Sequence, residues 1–255
     1  MILRDRVVLV TGAAHRLGRA MALALAGDGA KIALHYGSSS AAAEATAREI
    51  EALGVEAWPV QADLSRPESI VALFDGLDER FGRLDLLVNS AASFRKQGWE
   101  RIAVEDWDAA LAVNLRAPFL CMQAAARRMR ESRREEAAPA LVVNLADLSG
   151  LQPWQGYVQH GVAKAGLLHL TRIAARELAP AIRVNAIVPG AILPPPGLDP
   201  SSERWREIGS ASPLGAPGDP SRVVQTLRFL IANDYVTGAV IPVDGGEHLL
   251  GPVNH

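Results

Sequence analysis

The chain has 255 residues, 49% apolar and 21% charged, enough to build one large α/β domain around a substantial core without disulfide or metal staples. Its formal net charge of -2 excludes the basic excess that marks nucleic-acid binders and points to a small-molecule partner. Cys121 is the only cysteine, so no internal disulfide can form; with no run of 18 apolar residues and no apolar signal core, a cytoplasmic protein with no membrane partner and no metal is expected.

In chain order, a β-branched run from Arg6 to Thr11 predicts the first strand. It leads into Thr11-Gly12-Ala13-Ala14-His15-Arg16-Leu17-Gly18, where Gly12 permits a tight turn. The helix that follows, with Leu17, Met21 and Leu25 at helical spacing, offers its N–H groups and dipole to a phosphate. The two glycines do not match the G-x-G-x-x-G spacing, so a plain turn-and-packing role also fits them. A second strand, Lys31 to His35, ends in His35-Tyr36-Gly37-Ser38-Ser39-Ser40. Sites for an unphosphorylated ribose place a carboxylate here, and this chain has none. Hydroxyls from Ser38 and Ser39 and a cation from Arg16 favour a ribose phosphate, hence NADP(H) over NAD(H). The serines also fit as caps of the helix that begins near Ala41.

A third strand, Val55 to Gln61, precedes Asp63 and Leu64, after which Ile70, Leu73, Phe74, Leu77 and Phe81 recur at helical spacing. A fourth, Leu84 to Asn89, leads to Ser90, Ala91 and Phe94. Asn114 falls in the next helix, whose far end carries Arg127, Arg128, Arg130, Arg133 and Arg134 followed by Glu135 and Glu136, the pattern of a solvated helix end. A fifth strand, Leu141 to Leu145, delivers Asp147. Tyr157, His160, Gly161 and Lys164 then fall at i, i+3, i+4 and i+7, sharing one helical face. The sixth strand, Arg183 to Val188, ends at Pro189 and Gly190, and the seventh is Ala239 to Val243. Eight prolines from Pro189 to Pro220 leave room for only a short helix at Ser201 to Ile208, and Ala191 to Ser212 is expected to be a mobile lid over a substrate cleft. The alternation predicts a single-domain, Rossmann-like doubly wound fold, a seven-stranded parallel sheet with helices on both faces.

Taken together, TGAAHRLG, Ala62-Asp63-Leu64, Val88-Asn89-Ser90-Ala91, Asn114, Pro189-Gly190 and Val243-Asp244-Gly245-Gly246 resemble the ordered motifs of the short-chain dehydrogenase/reductase family, over essentially the whole chain. Arg16 stands where that family's middle glycine would be, and with LHYGSSS, NSAASF and PGAILPPPGLDPSSERW the chain is most similar to the pteridine reductases. The resemblance implies that Gly12, His15, Arg16, Leu17, Gly18, His35, Tyr36, Ser38, Ser39, Asp63, Leu64, Asn89, Ala91, Lys164, Pro189 and Gly190 surround NADP(H). Within that set Asp63 would meet the adenine, Asn89 and Ala91 would line the cleft, and Lys164 would hold the nicotinamide ribose. Asn114 would anchor a proton-relay water, and Phe94 would sandwich a flat ring against the nicotinamide.

At the catalytic end the family reads Ser, Tyr, Lys, whereas this chain reads Asp147, His160, Lys164. Asp147 matches the pteridine reductases and His160 does not, which leaves the proton donor open among His160, Tyr157 and Asp147. Three functions follow: an NADPH-dependent reductase of a C=N or C=O bond in a small ring such as a pterin, a carbonyl or 3-oxoacyl-thioester reductase, or an NADP(H)-binding protein with little turnover. A homotetramer is a further implication of the resemblance.

Overall fold

The computed structural model describes residues 1–132, 138–195 and 197–250. Arg133, Arg134, Glu135 and Glu136 of the charged run, and Pro196 of the proline-rich segment, lie outside the described residues.

Seven strands form among the described residues: β1 (Val7–Thr11), β2 (Lys31–Tyr36), β3 (Ala57–Gln61), β4 (Leu86–Asn89), β5 (Ala140–Leu145), β6 (Ile182–Pro189) and β7 (Val240–Val243). They build one sheet in the order β3-β2-β1-β4-β5-β6-β7 with every pairing parallel, as the alternating pattern predicts. The crossovers carry α1 (Arg16–Gly27), α2 (Ser40–Ala52), α3 (Pro67–Phe81), α4 (Val104–Leu111), α5 (Ala117–Ser132), α6 (Val158–Leu178), α7 (Glu203–Ser210) and α8 (Pro220–Ala232). The short helix in the proline-rich segment sits two residues later than expected, because Ser202 accepts the Trp205 N–H and so fixes the start of α7.

Strand residues alternate between two cores. Val8 and Val10 of β1, with Ile32, Leu34, Leu86 and Leu141, pack against Met21 and Leu25 of α1, Ile50 of α2 and Leu227 of α8. Val7 and Leu9, with Leu87 and Val142, face Leu73 and Phe74 of α3 and Cys121 and Met122 of α5. Helices cover both faces, which is why β1 is apolar at every position instead of alternating with polar residues. The helical run Val104–Glu131 is long and apolar enough by composition to cross a membrane. Half of its most apolar stretch is buried, and Cys121, Met122, Ala125 and Met129 spend that surface on the domain core.

β1 lies between β2 and β4, so the chain builds outward through β3 and then restarts from β4 in the other direction. Such a reversal opens a crevice at the carboxyl ends of the two central strands, where open α/β sheets take their ligands.

Candidate active site

The floor of this crevice is the turn after β1. Gly12 has φ +67°, and a Cβ on it would lie 2.8 Å from Ala91 Cα, so only glycine lets the β1 turn touch the loop after β4. A Cβ on Gly18, in the first turns of α1, would meet the Gly12 carbonyl oxygen at 2.2 Å, which makes the second glycine a packing requirement. Thr11 Oγ1 accepts from the Ser90 and Ala91 N–H groups at 3.0 and 3.1 Å, holding the two loops in register. His35 supports the turn from below instead of facing a ligand. The Gly12 N–H donates to its Nδ1 at 3.1 Å, and its Nε2–H donates to the Ala62 carbonyl at 3.0 Å. This tautomer is neutral, and burial pushes the His35 pKa down against the raising effect of the Ala62 bond.

His15 is exposed just before α1, and Leu17 packs onto the core. At the end of β2, Tyr36 packs against the core, and Ser39 precedes α2 without forming a side-chain cap. The capping role for the serines is therefore not seen; among the described residues the Ser38 and Ser39 hydroxyls make no hydrogen bond to protein. Asp63 is exposed after β3, and Ser65 donates to its Oδ1 from N–H and hydroxyl at 2.9 and 2.7 Å, which holds the carboxyl below its ordinary range. Leu64 is buried beside it. Asn89 departs from its expected place. Its Nδ2 donates to Asn144 Oδ1 at 2.9 Å, and Asn144 Nδ2 donates to Thr171 Oγ1 at 2.9 Å, so the side chain ties β4 to β5 inside the core and does not line the cleft.

Arg16 also departs from expectation. Its guanidinium donates to the Pro194 and Leu193 carbonyls at 2.9 and 3.3 Å, beyond the end of β6, whereas the serines follow β2. β2 and β6 lie on opposite sides of β1, so this side chain is turned away from the place expected for a ribose phosphate. Pro189 ends β6 in the core, and the Gly190 N–H donates to the Val243 carbonyl at 3.0 Å.

The catalytic end gathers where β5 and α6 meet the loop after β4. Ser149 donates to Asp147 Oδ1 from its N–H at 2.9 Å and from its hydroxyl, while Asp147 Oδ2 lies 2.5 Å from His160 Nε2. His160 Nδ1 lies 2.9 Å from the Ser93 carbonyl, an acceptor only, so Nδ1 carries a proton. The Nε2 to Oδ2 contact needs a second proton, shared between imidazole and carboxyl. Burial works to raise the Asp147 carboxyl, but the His160 hydrogen bond, the Lys164 and His160 charges and Ser149 outweigh it and hold the pKa at about 2. Lys164 is fully buried and donates from Nζ to the Leu145 carbonyl at 2.8 Å; burial lowers its pKa and Asp147 opposes that. The His160 side chain is 2% exposed and that of Asp147 22%, so the carboxyl is the member of the pair that reaches the cleft.

Asn114 lies in a π-helical turn, Ala112–Arg116, between α4 and α5. Its Oδ1 accepts the Ser93 N–H, and its Nδ2 donates to the Ser93 carbonyl and hydroxyl, each at 3.0 Å. Asn114 thus fixes the carbonyl that fixes His160. Ser93, a serine in a loop, carried no sequence signal of this role. Tyr157 precedes α6 with φ -125°, so it does not share the helical face of Lys164. Its ring stacks on Phe94 at 4.5 Å between centroids, Lys96 Nζ lies 5.6 Å from its centroid, and the Phe94 and His160 rings meet near perpendicular at 4.8 Å. Phe94 is 57% exposed, leaving an aromatic surface at the mouth of the site.

The family profile described as enoyl-(acyl carrier protein) reductase matches residues 12–248. A 3-oxoacyl-[acyl-carrier-protein] reductase of Synechocystis sp. is 36% identical over 96% of this chain and 97% of its own. The 3beta-hydroxysteroid dehydrogenase 1 of Eggerthella lenta is 34% identical over 97% and 95%. Among solved structures, FolM alternative dihydrofolate reductase 1 from Brucella canis, complexed with NADP, superposes with a TM-score of 0.87 at 32% identity, covering 98% of this chain and 96% of that one. The chain belongs to the short-chain dehydrogenase/reductase family, and it is an oxidoreductase of that type.

Proposed function

We propose that the protein is an NADP(H)-dependent reductase of a C=N or C=O bond in a small substrate, with the Asp147–His160 pair as its proton source. The observation that carries this reading is the 2.5 Å contact between His160 Nε2 and Asp147 Oδ2, at the end of β5 and beside the crevice. The residues present fit the cofactor: a glycine turn pressed against Ala91, the N-terminus of α1, and uncapped serines with no carboxylate at the end of β2. Relatives of this fold have been solved with NADP or NADPH. Bound there, the cofactor would supply the hydride.

The chain's own residues supply the proton and its control. Ser149 fills Asp147 Oδ1 with two donors, so Oδ2, already against His160 Nε2, is the oxygen left to exchange a proton with a substrate. The proton between the pair, held mainly on His160 Nε2 because the Asp147 carboxyl stays ionised, would pass by way of Asp147 Oδ2 to the substrate nitrogen or oxygen. His160 is left neutral with Nδ1–H on the Ser93 carbonyl, and a proton from solvent restores the pair. Lys164 balances the carboxylate charge from behind.

A pterin-type ring is the first substrate reading, supported by the carboxyl at position 147, the exposed ring of Phe94 and the likeness to FolM. A 3-oxoacyl thioester is the second, supported by the 36% identity to the Synechocystis sp. reductase. The segment from Ala191 to Ser212 is the proposed lid over either substrate. The test is NADPH oxidation with a dihydropterin and a 3-oxoacyl thioester, offered separately. Turnover of the pterin alone supports the first reading, and turnover of the thioester alone the second. Tight NADPH binding with neither substrate consumed contradicts the reductase and leaves a cofactor-binding protein.

A further inference from the structure

We infer that Arg16 is a positioning residue that latches the segment after β6 over the substrate side of the crevice. Its kinetic consequence rests on the reductase reading, whereas the latch itself does not.

Three observations point to it. Arg16 opens α1 with φ +52°, in the left-handed region that a residue with a Cβ enters at a cost and keeps only where its surroundings require it. Glycine would relieve that strain, so the side chain must return something. The second observation is what the side chain does: two guanidinium N–H groups donate to the consecutive carbonyls of Leu193 and Pro194, a fork that a single ammonium cannot reproduce.

The third is how the segment is otherwise held. Its roots are fixed by backbone bonds: the Gly218 N–H donates to Ala191 at 2.9 Å, and the Leu214 N–H donates to Gly245 at 3.1 Å. Between these roots, residues 197–208 bond only within the segment, through Ser201 and Ser202 to Asp199 and along α7. Among the described residues, the two Arg16 bonds are the hydrogen bonds that join residues 193–208 to any part of the protein outside residues 191–218. Apolar packing of Leu193 and burial of Trp205 supply the remaining hold. Packing without direction permits sliding; the fork at Arg16 gives the segment one position. Because the bonds are exposed, they can be broken and remade on the timescale of lid motion.

The experiment is hydrogen exchange on the cofactor-free protein, comparing wild type with Arg16→Ala, Arg16→Lys and Arg16→Gly. Amides of residues 197–210 are expected to exchange several-fold faster in Arg16→Ala and Arg16→Gly, with β1 and α8 unchanged, and Arg16→Lys is expected to fall between. Arg16→Gly adopts φ +52° without strain, so its global stability should equal or exceed wild type while the segment loosens. That separates loss of the latch from damage to the turn. Unchanged exchange of 197–210 in Arg16→Gly overturns the inference. With a turnover substrate, Arg16→Gly should raise the substrate KM several-fold and leave the ratio of NADPH to NADH affinity unaltered. Selective loss of NADPH affinity would instead assign Arg16 to the ribose phosphate. If no substrate turns over, the reductase reading fails while the exchange result still decides the latch.

Discussion

A phenol at position 160 would extend past Asp147 toward the cleft; the shorter imidazole stops behind it, with Nδ1 on Ser93 and Nε2 on Asp147. In the proposed mechanism the proton's last protein stop is therefore residue 147 and not residue 160. Asp147→Asn should lower kcat by about 10²- to 10⁴-fold, the usual scale for a general acid, with little change in NADPH affinity measured by fluorescence titration. His160→Ala should fall in the same direction by less, because Asp147 keeps its place but loses its proton store. Tyr157→Phe should leave kcat near wild type, since the Tyr157 ring is committed to Phe94 and lies outside α6. The same carboxylate carries a pH signature. Its folded pKa of about 2 lies below the ordinary 3.8, so it stabilises the fold above the ordinary value and loses that contribution as pH falls toward about 2. Denaturant titrations of Asp147→Asn should accordingly lack the part of the acid decline that wild type shows between those values; identical declines would exclude the ionised pair.

At the scale of elements, the π-helical turn is the device that aims Asn114 at Ser93. Asn114→Ala leaves the Ser93 N–H without its acceptor and should cost about 1 to 3 kcal/mol in denaturant unfolding, with slower turnover from a misplaced His160. Gly12→Ala should be worse for binding, because its Cβ would fall 2.8 Å from Ala91 Cα on a backbone at φ +67°. The seven strands were legible in the sequence because their short apolar runs stand apart from the helical spacing on either side, most plainly in β1 and β4, which are buried throughout, and their ends moved by no more than two residues. Asp147, His160 and Lys164 were legible as a departure from a known pattern. The direction of Arg16 was not, since it depends on which strand ends lie beside β1, and sequence order puts the serines closer than Leu193. Nor was the inward turn of Asn89, whose partners Asn144 and Thr171 come from distant elements. The π-helical turn was hidden because a single extra residue leaves the apolar spacing of a helix nearly intact.

For the whole molecule, the reversal of the sheet at β1 and β4 places the glycine turn, the Asp147 carboxyl and the segment after β6 around one crevice. A cofactor bound there stabilises the folded state by mass action, about 2.7 kcal/mol at a hundredfold excess over Kd. NADPH should raise the melting temperature more than NADH at equal concentration, because the sequence places serines and no carboxylate at the end of β2; equal shifts would remove the basis for NADP(H) preference. The central claim joins that crevice to proton delivery by the buried pair. It is tested most directly by single-turnover oxidation of bound NADPH, with saturating substrate, in wild type and Asp147→Asn. The account predicts rapid oxidation in wild type and a rate about 10²- to 10⁴-fold lower in the variant, with NADPH bound equally in both. Equal rates in the two proteins would contradict it.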